Sequence, residues 1–297
     1  MLHDCNSNRR FAKNNFLSQS LIAVKMSQLV SIQGFEGSFH QIAAQQFCGN
    51  NIDIVPCATF YEVIECIKNG KSQTGVMAIE NSIAGSILPN YSLLQKSNLN
   101  IIGEVYLPIQ QHLLVNPGVK LKDLKEVHSH PMAIQQCLEY LLPQGWKLVE
   151  TEDTALSAKR LLQNNNRHTA AIAGKLAADL FHLEILAENI HSDKNNYTRF
   201  LVLEKVAKPL TNANKASISF RTDHTKGSLA KVLTKIAEAN INLSKLQSFP
   251  IPGSHWNYYF HADLEFDSID QMNGVLEMLK TTTTSVKVYG IYKNGNL

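Results

Sequence analysis

Two adjacent side chains of different chemistry stand where a strand begins. A polar, turn-forming run over residues 191–196 feeds into an apolar, β-type run over residues 200–203, with Thr198 and Arg199 at the seam. Thr198 offers a hydroxyl that can act on a proton, and Arg199 a fixed guanidinium fork that matches a carboxylate. Thr is also a good strand former and an arginine beside it is often only a surface charge, so the pair needs support from elsewhere. Glu80, Asn81 and Ser82 follow the apolar run 76–79 and precede Gly85. Ligands of open α/β sheets lie beyond the carboxyl ends of strands, although Asn81 or Ser82 also reads as a helix cap. Gly34, Gly37 and Ser38 make a Gly-x-x-Gly-Ser turn between a strand and a helix. It is either a tight turn capped by Ser38 or a set of amides facing an anion, and the rest of a dinucleotide fingerprint is not in place. His128-Ser129-His130-Pro131 precedes a helix carrying Gln135, Gln136 and Cys137, which puts Ser129 near the unpaired amides of a helix start. No third and fourth ligand lies at usable spacing from His128 and His130, so no metal is expected, and His112 reads as structural.

Positioning these groups takes a sizeable scaffold. The chain has 297 residues, 44% of them apolar, enough for two domains with buried cores. Lys and Arg total 28 against 25 for Asp and Glu, a net charge of +3, and no basic run interleaves with aromatics, so nucleic acid is not an expected partner. Cys5, Cys48, Cys57, Cys66 and Cys137 form no Cys-x-x-Cys pair and read as free thiols of a reduced cytosol. No apolar stretch approaches the roughly 20 residues that cross a bilayer, and polar residues 18–20 interrupt any signal-peptide core, so a cytoplasmic protein without membrane contact is expected. Residues 1–26 read as a disordered tail.

From residue 29 onward, apolar runs at 29–32, 52–55, 76–79 and 101–106 alternate with helix-period segments at 41–48, 59–68 and 87–96. The alternation predicts βα units and a largely parallel sheet. A second set follows, with strands at 112–115, 126–128, 147–149 and 170–173 and helices near 132–142, 154–163 and 175–181. The strand after Arg199 is expected to return to the first set. Residues 208–215 read as a linker, and residues 216–297 follow the order βαββαβ, the ferredoxin-like arrangement.

The motifs resemble those of prephenate dehydratases. Residues 78–85, Ala-Ile-Glu-Asn-Ser-Ile-Ala-Gly, are similar to the family's Pro-Ile-Glu-Asn-Ser motif. Residues 129–137, Ser-His-Pro-Met-Ala-Ile-Gln-Gln-Cys in outline, resemble its Ser-His-Pro-Gln-Ala-x-x-Gln-Cys, and residues 196–200 match its Asn-x-Thr-Arg-Phe signature. The Gly34-x-x-Gly37-Ser38-Phe39 opening also looks like theirs.

The resemblance implies a catalytic region (27–207) of two α/β lobes like type II periplasmic solute-binding proteins, about 27–105 plus 190–207 and 106–189. An ACT regulatory domain would follow at 216–297. It implies a cofactor-free lyase that takes water and carbon dioxide from prephenate to give phenylpyruvate in phenylalanine biosynthesis, with arogenate as the alternative substrate. By position it makes Thr198 the essential hydroxyl and Glu80, Asn81, Ser129 and Gln136 active-site residues, with Arg199, Phe200, Ser82, Gly34 and Ser38 around the substrate. Arg199 and the helix-start amides would hold a carboxylate, and Glu80 would orient Thr198 or Asn81 or be protonated. In the ACT domain Gly227, Ser228 and Leu229 stand where the family has Gly-Ala-Leu, and Gln247 and Ser248 begin its Glu-Ser-Arg-Pro element, with Gln247 replacing the acid and Phe249 the arginine. Family members bind phenylalanine near these loops between paired ACT domains, so a homodimer or homotetramer with L-phenylalanine as effector is expected. The tail is too short for a fused chorismate mutase bundle, which implies a monofunctional enzyme. A non-catalytic, two-lobed carboxylate-binding protein with an amino-acid sensor is the reading from a different class.

Overall fold

A computed structural model describes residues 27–207, 210–251, 253–254 and 257–295. The expected tail at 1–26, with Cys5, lies outside the described residues. The chain begins with β1 (Gln28–Gln33), α1 (Phe39–Cys48), β2 (Ile52–Cys57), α2 (Phe60–Lys68), β3 (Thr74–Asn81), β4 (Gly85–Ser86), α3 (Leu88–Ser97) and β5 (Asn100–Pro108). Local chemistry sets the helix starts: the Ser38 and Thr59 hydroxyls accept the amides of Gln41 and Glu62. Val63, Ile64 and Ile67, at helical spacing, then bury one stripe of α2.

A second lobe comprises β6 (His112–Val115), β7 (Glu126–Ser129), α4 (Pro131–Gln136), α5 (Leu138–Leu141), β8 (Lys147–Glu150), α6 (Thr154–Asn164), β9 (Thr169–Ala173), α7 (Lys175–Leu180) and β10 (Glu184–Ala187). The chain then returns to the first lobe as β11 (Tyr197–Glu204). Two segments cross between the lobes and bond to each other, Ile109 N–H to the Asn196 carbonyl at 2.7 Å and Ile190 N–H to the Gln111 carbonyl at 2.8 Å.

The first sheet has the order β2-β1-β3-β11-β5, and the second β10-β6-β9-β7-β8. Neither is largely parallel, which corrects the sequence-based expectation. β1 runs parallel to β2 and β3, but β11 enters from the cleft end toward which β3 and β5 run, and so lies antiparallel between them.

The C-terminal domain has the expected order: β12 (Lys215–Arg221), α8 (Ser228–Glu238), β13 (Asn242–Pro250), β14 (Tyr258–Glu265), α9 (Ile269–Thr282) and β15 (Ser285–Tyr292). Its antiparallel sheet, β13-β14-β12-β15, covers α8 and α9 with one face. Lys215, expected in the linker, is instead the first residue of β12 and fully buried. The sheet's other face joins the first lobe's core, where Phe249, Tyr259, Tyr289 and Tyr292 pack with Tyr91, Leu94, Ile101 and Leu203. The approach is close enough that a Cβ on Gly290 would meet the Ile101 carbonyl oxygen at 2.1 Å.

Within this apolar interface lies an ion cluster. Arg199 donates through Nε to Glu104 at 2.7 Å, through one terminal nitrogen to Asp263 at 2.5 Å and through the other to the Tyr292 hydroxyl at 3.2 Å. Lys215 donates to Glu104 at 2.9 Å, and Ser217 to Asp263 at 2.5 Å. Burial pushes Asp263 toward its neutral form, but the Arg199 guanidinium outweighs it and holds the carboxyl well below the usual carboxylate range. Removing one member leaves its partner charged and desolvated, so Asp263→Ala is expected to cost about 3–5 kcal/mol in urea unfolding. The lowered pKa makes this stabilisation fully present above about pH 4 and lost as pH falls through the folded-state value. Melting temperature should therefore fall below that pH in the wild type and fall less steeply in Asp263→Asn.

Candidate active site

The strands that carry the sequence motifs alternate faces, and the alternation divides each motif. On β11, Thr198 and Phe200 line a cleft between the lobes, whereas Arg199, one residue between them, projects into the ion cluster on the opposite face. On β3 a bulge changes the phase: Thr198 pairs with Asn81 and Arg199 with Glu80, but Phe200 pairs with Ala78, leaving Ile79 extra. Ile79 and Glu80 therefore both face the C-terminal side, and Asn81 swings back to the cleft beside Thr198.

Asn81 is held in one orientation. Its Oδ1 accepts the amides of Ile83 at 3.0 Å and Ala84 at 2.9 Å, which directs Nδ2 toward Asn196 Oδ1 at 2.7 Å and Thr198 Oγ1 at 3.1 Å. Asn196 in turn donates to Gln136 Oε1 at 3.1 Å, carrying the chain of amides to α4 in the second lobe. Gln136, Asn196, Asn81 and Thr198 thus form one hydrogen-bonded line across the cleft. Thr198 is 9% exposed, its oxygen supplied with a donor and its own proton without an acceptor among the described residues.

The cleft holds a cavity of about 360 Å³. Its walls include Phe39, Phe60, Ile87, Ile109 and Phe200, with polar groups from Ser38, His40, Asn81, Gln111, His130, Gln136 and Thr198. Among the described residues no Lys or Arg lines it. Glu152 and Asp153 do, but Glu152 is engaged by Arg160 at 2.5 and 2.9 Å and Asp153 caps α6 through the Leu156 amide at 2.8 Å.

Several sequence expectations are corrected. Arg199 does not reach the cleft and is not available to a substrate carboxylate. Glu80 orients neither Thr198 nor Asn81: it pairs with Lys245 of β13, which also donates to Ser86 at 2.7 Å. Ser129 is fully buried and donates to the Ile172 carbonyl at 2.7 Å, bracing β7 to β9, and the group at the helix start is His130, whose Nδ1 accepts the Met132 amide at 3.2 Å. The Gly-x-x-Gly amides are not free for an anion: Gly34 donates to the Cys57 carbonyl at 2.9 Å and Gly37 to Gln41 Oε1 at 2.7 Å. Both glycines instead admit the second lobe, since Cβ atoms there would stand 2.9 Å from Asp153 Oδ2 and 3.0 Å from Ala177 Cα. Ser82 lies off the cleft, accepting the Tyr197 amide and donating to the Asn195 carbonyl, both at 2.9 Å, and so ties the β3 turn to the start of β11. Ser38 lines the cleft while capping α1.

In the C-terminal domain, Gly227 caps α8 at φ +81°, the Ser228 hydroxyl donates to the Asp223 carbonyl at 2.8 Å, and Leu229 packs on the domain core. Gln247 and Ser248 sit on the edge strand β13. Phe249 faces the first lobe, stacked on Tyr259 at 5.1 Å and tilted against Tyr91 at 5.5 Å. The cleft residues that the motifs do not reveal include His40, Phe60, Gln111, Glu152 and Asp153. His40 carried a usable signal, directly after Ser38 and Phe39 at a helix start that faces the strand ends.

These features define a two-lobed α/β cleft protein with a ferredoxin-like C-terminal domain and a neutral, amide-supported hydroxyl at its centre. Residues 30–208 match the prephenate dehydratase family model, and the chain belongs to that family. It is 32% identical over 276 residues to the bifunctional chorismate mutase/prephenate dehydratase of Enterobacter agglomerans, covering 90% of this chain and 71% of that one. It is 35% identical over 275 residues to arogenate dehydratase/prephenate dehydratase 2 of Arabidopsis thaliana, with 89% and 72% covered. Among solved structures, prephenate dehydratase from Arthrobacter aurescens in complex with L-Phe superposes with a TM-score of 0.80 at 26% identity, covering 90% of each chain. GqqA, described as a novel type of quorum-quenching acylase, superposes with a TM-score of 0.82 at 28% identity, covering 90% of this chain and 98% of its own. Among the described residues no helix is long and apolar enough to cross a membrane.

The Asn81 and Ser129 placements lead to opposite expectations. Asn81→Asp places an acceptor where Thr198 now receives a donor, and turnover of the family substrate should fall at least about tenfold, the low end for disturbing a positioned acid. Ser129→Ala should leave turnover within about twofold and lower unfolding free energy by about 1–2 kcal/mol, the loss of a buried hydrogen bond.

Proposed function

We propose that the chain is a dehydratase of prephenate, with Thr198 as the group that meets the departing hydroxyl. The observation that carries this is the Asn81 amide on Thr198 Oγ1, which fixes the hydroxyl at the wall of an otherwise apolar cavity. Prephenate dianion gains one proton and gives phenylpyruvate monoanion, carbon dioxide and water. The C4 hydroxyl leaves as the ring carboxylate breaks away, and the electron pair of that C–C bond completes the aromatic ring. Aromatisation supplies much of the driving force, so acid strength matters less than placement. A threonine hydroxyl is scarcely more acidic than water, whose pKa is about 15.7. Thr198 therefore acts by position, donating to the developing hydroxide, with the balancing proton drawn ultimately from solvent. A positioned acid contributes roughly 10²- to 10⁴-fold. The apolar walls favour departure of the ring carboxylate as neutral carbon dioxide. With Arg199 sequestered, recognition of the dianion rests on donors such as the Gln136 amide and the His130 ring.

One observation favours arogenate as a second reading: among the described residues Asp153 lines the cleft without an ion-pair partner and no Lys or Arg lines it, a balance that suits an α-ammonium group. The Arabidopsis relative's description includes both activities. The likeness to an acylase means that shared architecture does not by itself assign the chemistry. The C-terminal domain is read as an ACT domain that pairs with a second copy and binds L-phenylalanine near Gly227 and Ser248. This is supported by its βαββαβ order and the L-Phe complex of the Arthrobacter enzyme.

Ultraviolet detection of phenylpyruvate from prephenate, and of phenylalanine from arogenate, tests the reading. Thr198→Ala should cut turnover of the preferred acid at least about tenfold with melting temperature preserved, and Thr198→Ser should retain most of it. Near-normal turnover in the alanine variant overturns the assignment. Calorimetric heat on titrating L-phenylalanine, reduced in Ser248→Trp, is expected of the regulatory domain.

A further inference from the structure

His40 is the second residue of α1, following the capping Ser38, and its ring forms part of the cleft wall. It stands edge-on to Phe200 with centroids 4.9 Å apart and planes at 83°, and is tilted against Phe60 at 5.4 Å. Phe200 and Thr198 occupy the same face of β11, so His40 and the Thr198 hydroxyl bound one cavity. The Nε2 atom is buried and has no hydrogen-bond partner among the described residues. An imidazole held between two phenyl rings with an unanswered ring nitrogen is costly if it serves packing alone, because a third phenyl would fill the space without that cost.

The surroundings say what the nitrogen would meet. Among the described residues the cavity offers no Lys or Arg, His130 spends Nδ1 on the Met132 amide, and Gln136 spends Oε1 on Asn196. We propose that His40 is a substrate-contacting residue of this cleft, donating Nε2–H to the side-chain carboxylate of the bound acid, the one that survives into the product. The assignment rests on the dehydratase reading and names the class of group recognised, a carboxylate α to a keto or amino carbon.

Burial pushes the His40 imidazole down to about 4, so the free ring is uncharged near neutral pH. The other titratable groups on the cavity are His130, Glu152 and Asp153. A neutral donor suits a site that must release an anionic product, since an uncharged imidazole holds a carboxylate less tightly than an arginine fork. The contact is the same in substrate and product, so it belongs to binding and should act on KM and leave kcat nearly unchanged.

His40→Phe keeps the ring packing and removes the donor, and His40→Gln restores an N–H near the Nε2 position. Folding is checked by melting temperature. The expected result for His40→Phe is a KM raised about 10- to 100-fold, the loss of a hydrogen bond to a charged group, with partial recovery in His40→Gln. Binding of phenylpyruvate, titrated calorimetrically, should weaken by the same factor, a readout that needs no turnover. A folded His40→Phe whose KM and phenylpyruvate affinity both stay within about twofold of wild type overturns the proposal. A wild-type protein inactive on prephenate and arogenate defeats the dehydratase reading instead. His40 is then judged by the phenylpyruvate titration alone, where no binding, or binding indifferent to His40→Phe, overturns it.

Discussion

The guanidinium of Arg199, enclosed by Glu104, Asp263 and Tyr292, is the constraint on which the placement of the strand carrying Thr198 depends. Four charges of balanced sign, with Lys215 the fourth, lie beneath the C-terminal sheet. Such a cluster is weak evidence of net stability, because well-packed apolar groups often do as well. Its leverage is specificity. A slip of the C-terminal sheet along β5 would leave charges buried without partners, whereas a slip between apolar surfaces would cost little. Since Arg199 adjoins Thr198 by one peptide bond, the force that fixes domain docking also fixes the hydroxyl.

The two faces of the first sheet consequently carry different electrostatics. Toward the C-terminal domain the sheet presents Glu80, Glu104 and Arg199, all paired within the protein. Toward the cleft it presents amides, a hydroxyl and aromatic rings. Anion recognition is left to neutral dipoles in a poorly solvated pocket, where each hydrogen bond counts for more than it would in water. That division also gives the C-terminal domain three ionic handles on the first lobe, Glu104 through Lys215, Arg199 through Asp263 and Glu80 through Lys245. The last of these lies on β13, the strand that bears Gln247 and Ser248.

Much of this was legible in the sequence, and the failures share a physical cause. Most of the strand and helix order follows from hydropathy period, the short strands β4 and β10 excepted, and the βαββαβ order of the C-terminal domain needs nothing further. Thr198, Asn81 and Gln136 were singled out and do meet. Arg199, Glu80 and Ser129 were singled out beside them and do not line the cleft, because neighbouring residues on a strand point to opposite faces and a motif read as a string does not reveal which. Phe249 illustrates the converse. Its departure from the family's arginine reads as a lost ligand contact, yet the side chain fills the interface between Tyr91 and Tyr259. His40 has one signal in the sequence, its place after Ser38 and Phe39 at a helix start, but its ring contact with Phe200 emerges only when the opposing strand is in place.

The extra residue in β3 decides which polar side chain reaches the cleft. Hydropathy would score the same eight residues without a bulge as an equally good strand. Yet a segment running straight on from Ala78 would turn Glu80 inward and Asn81 outward, setting a carboxylate against the threonine oxygen and stranding Lys245. A single backbone irregularity, invisible to composition, thus sorts an acid from an amide between two faces of one sheet.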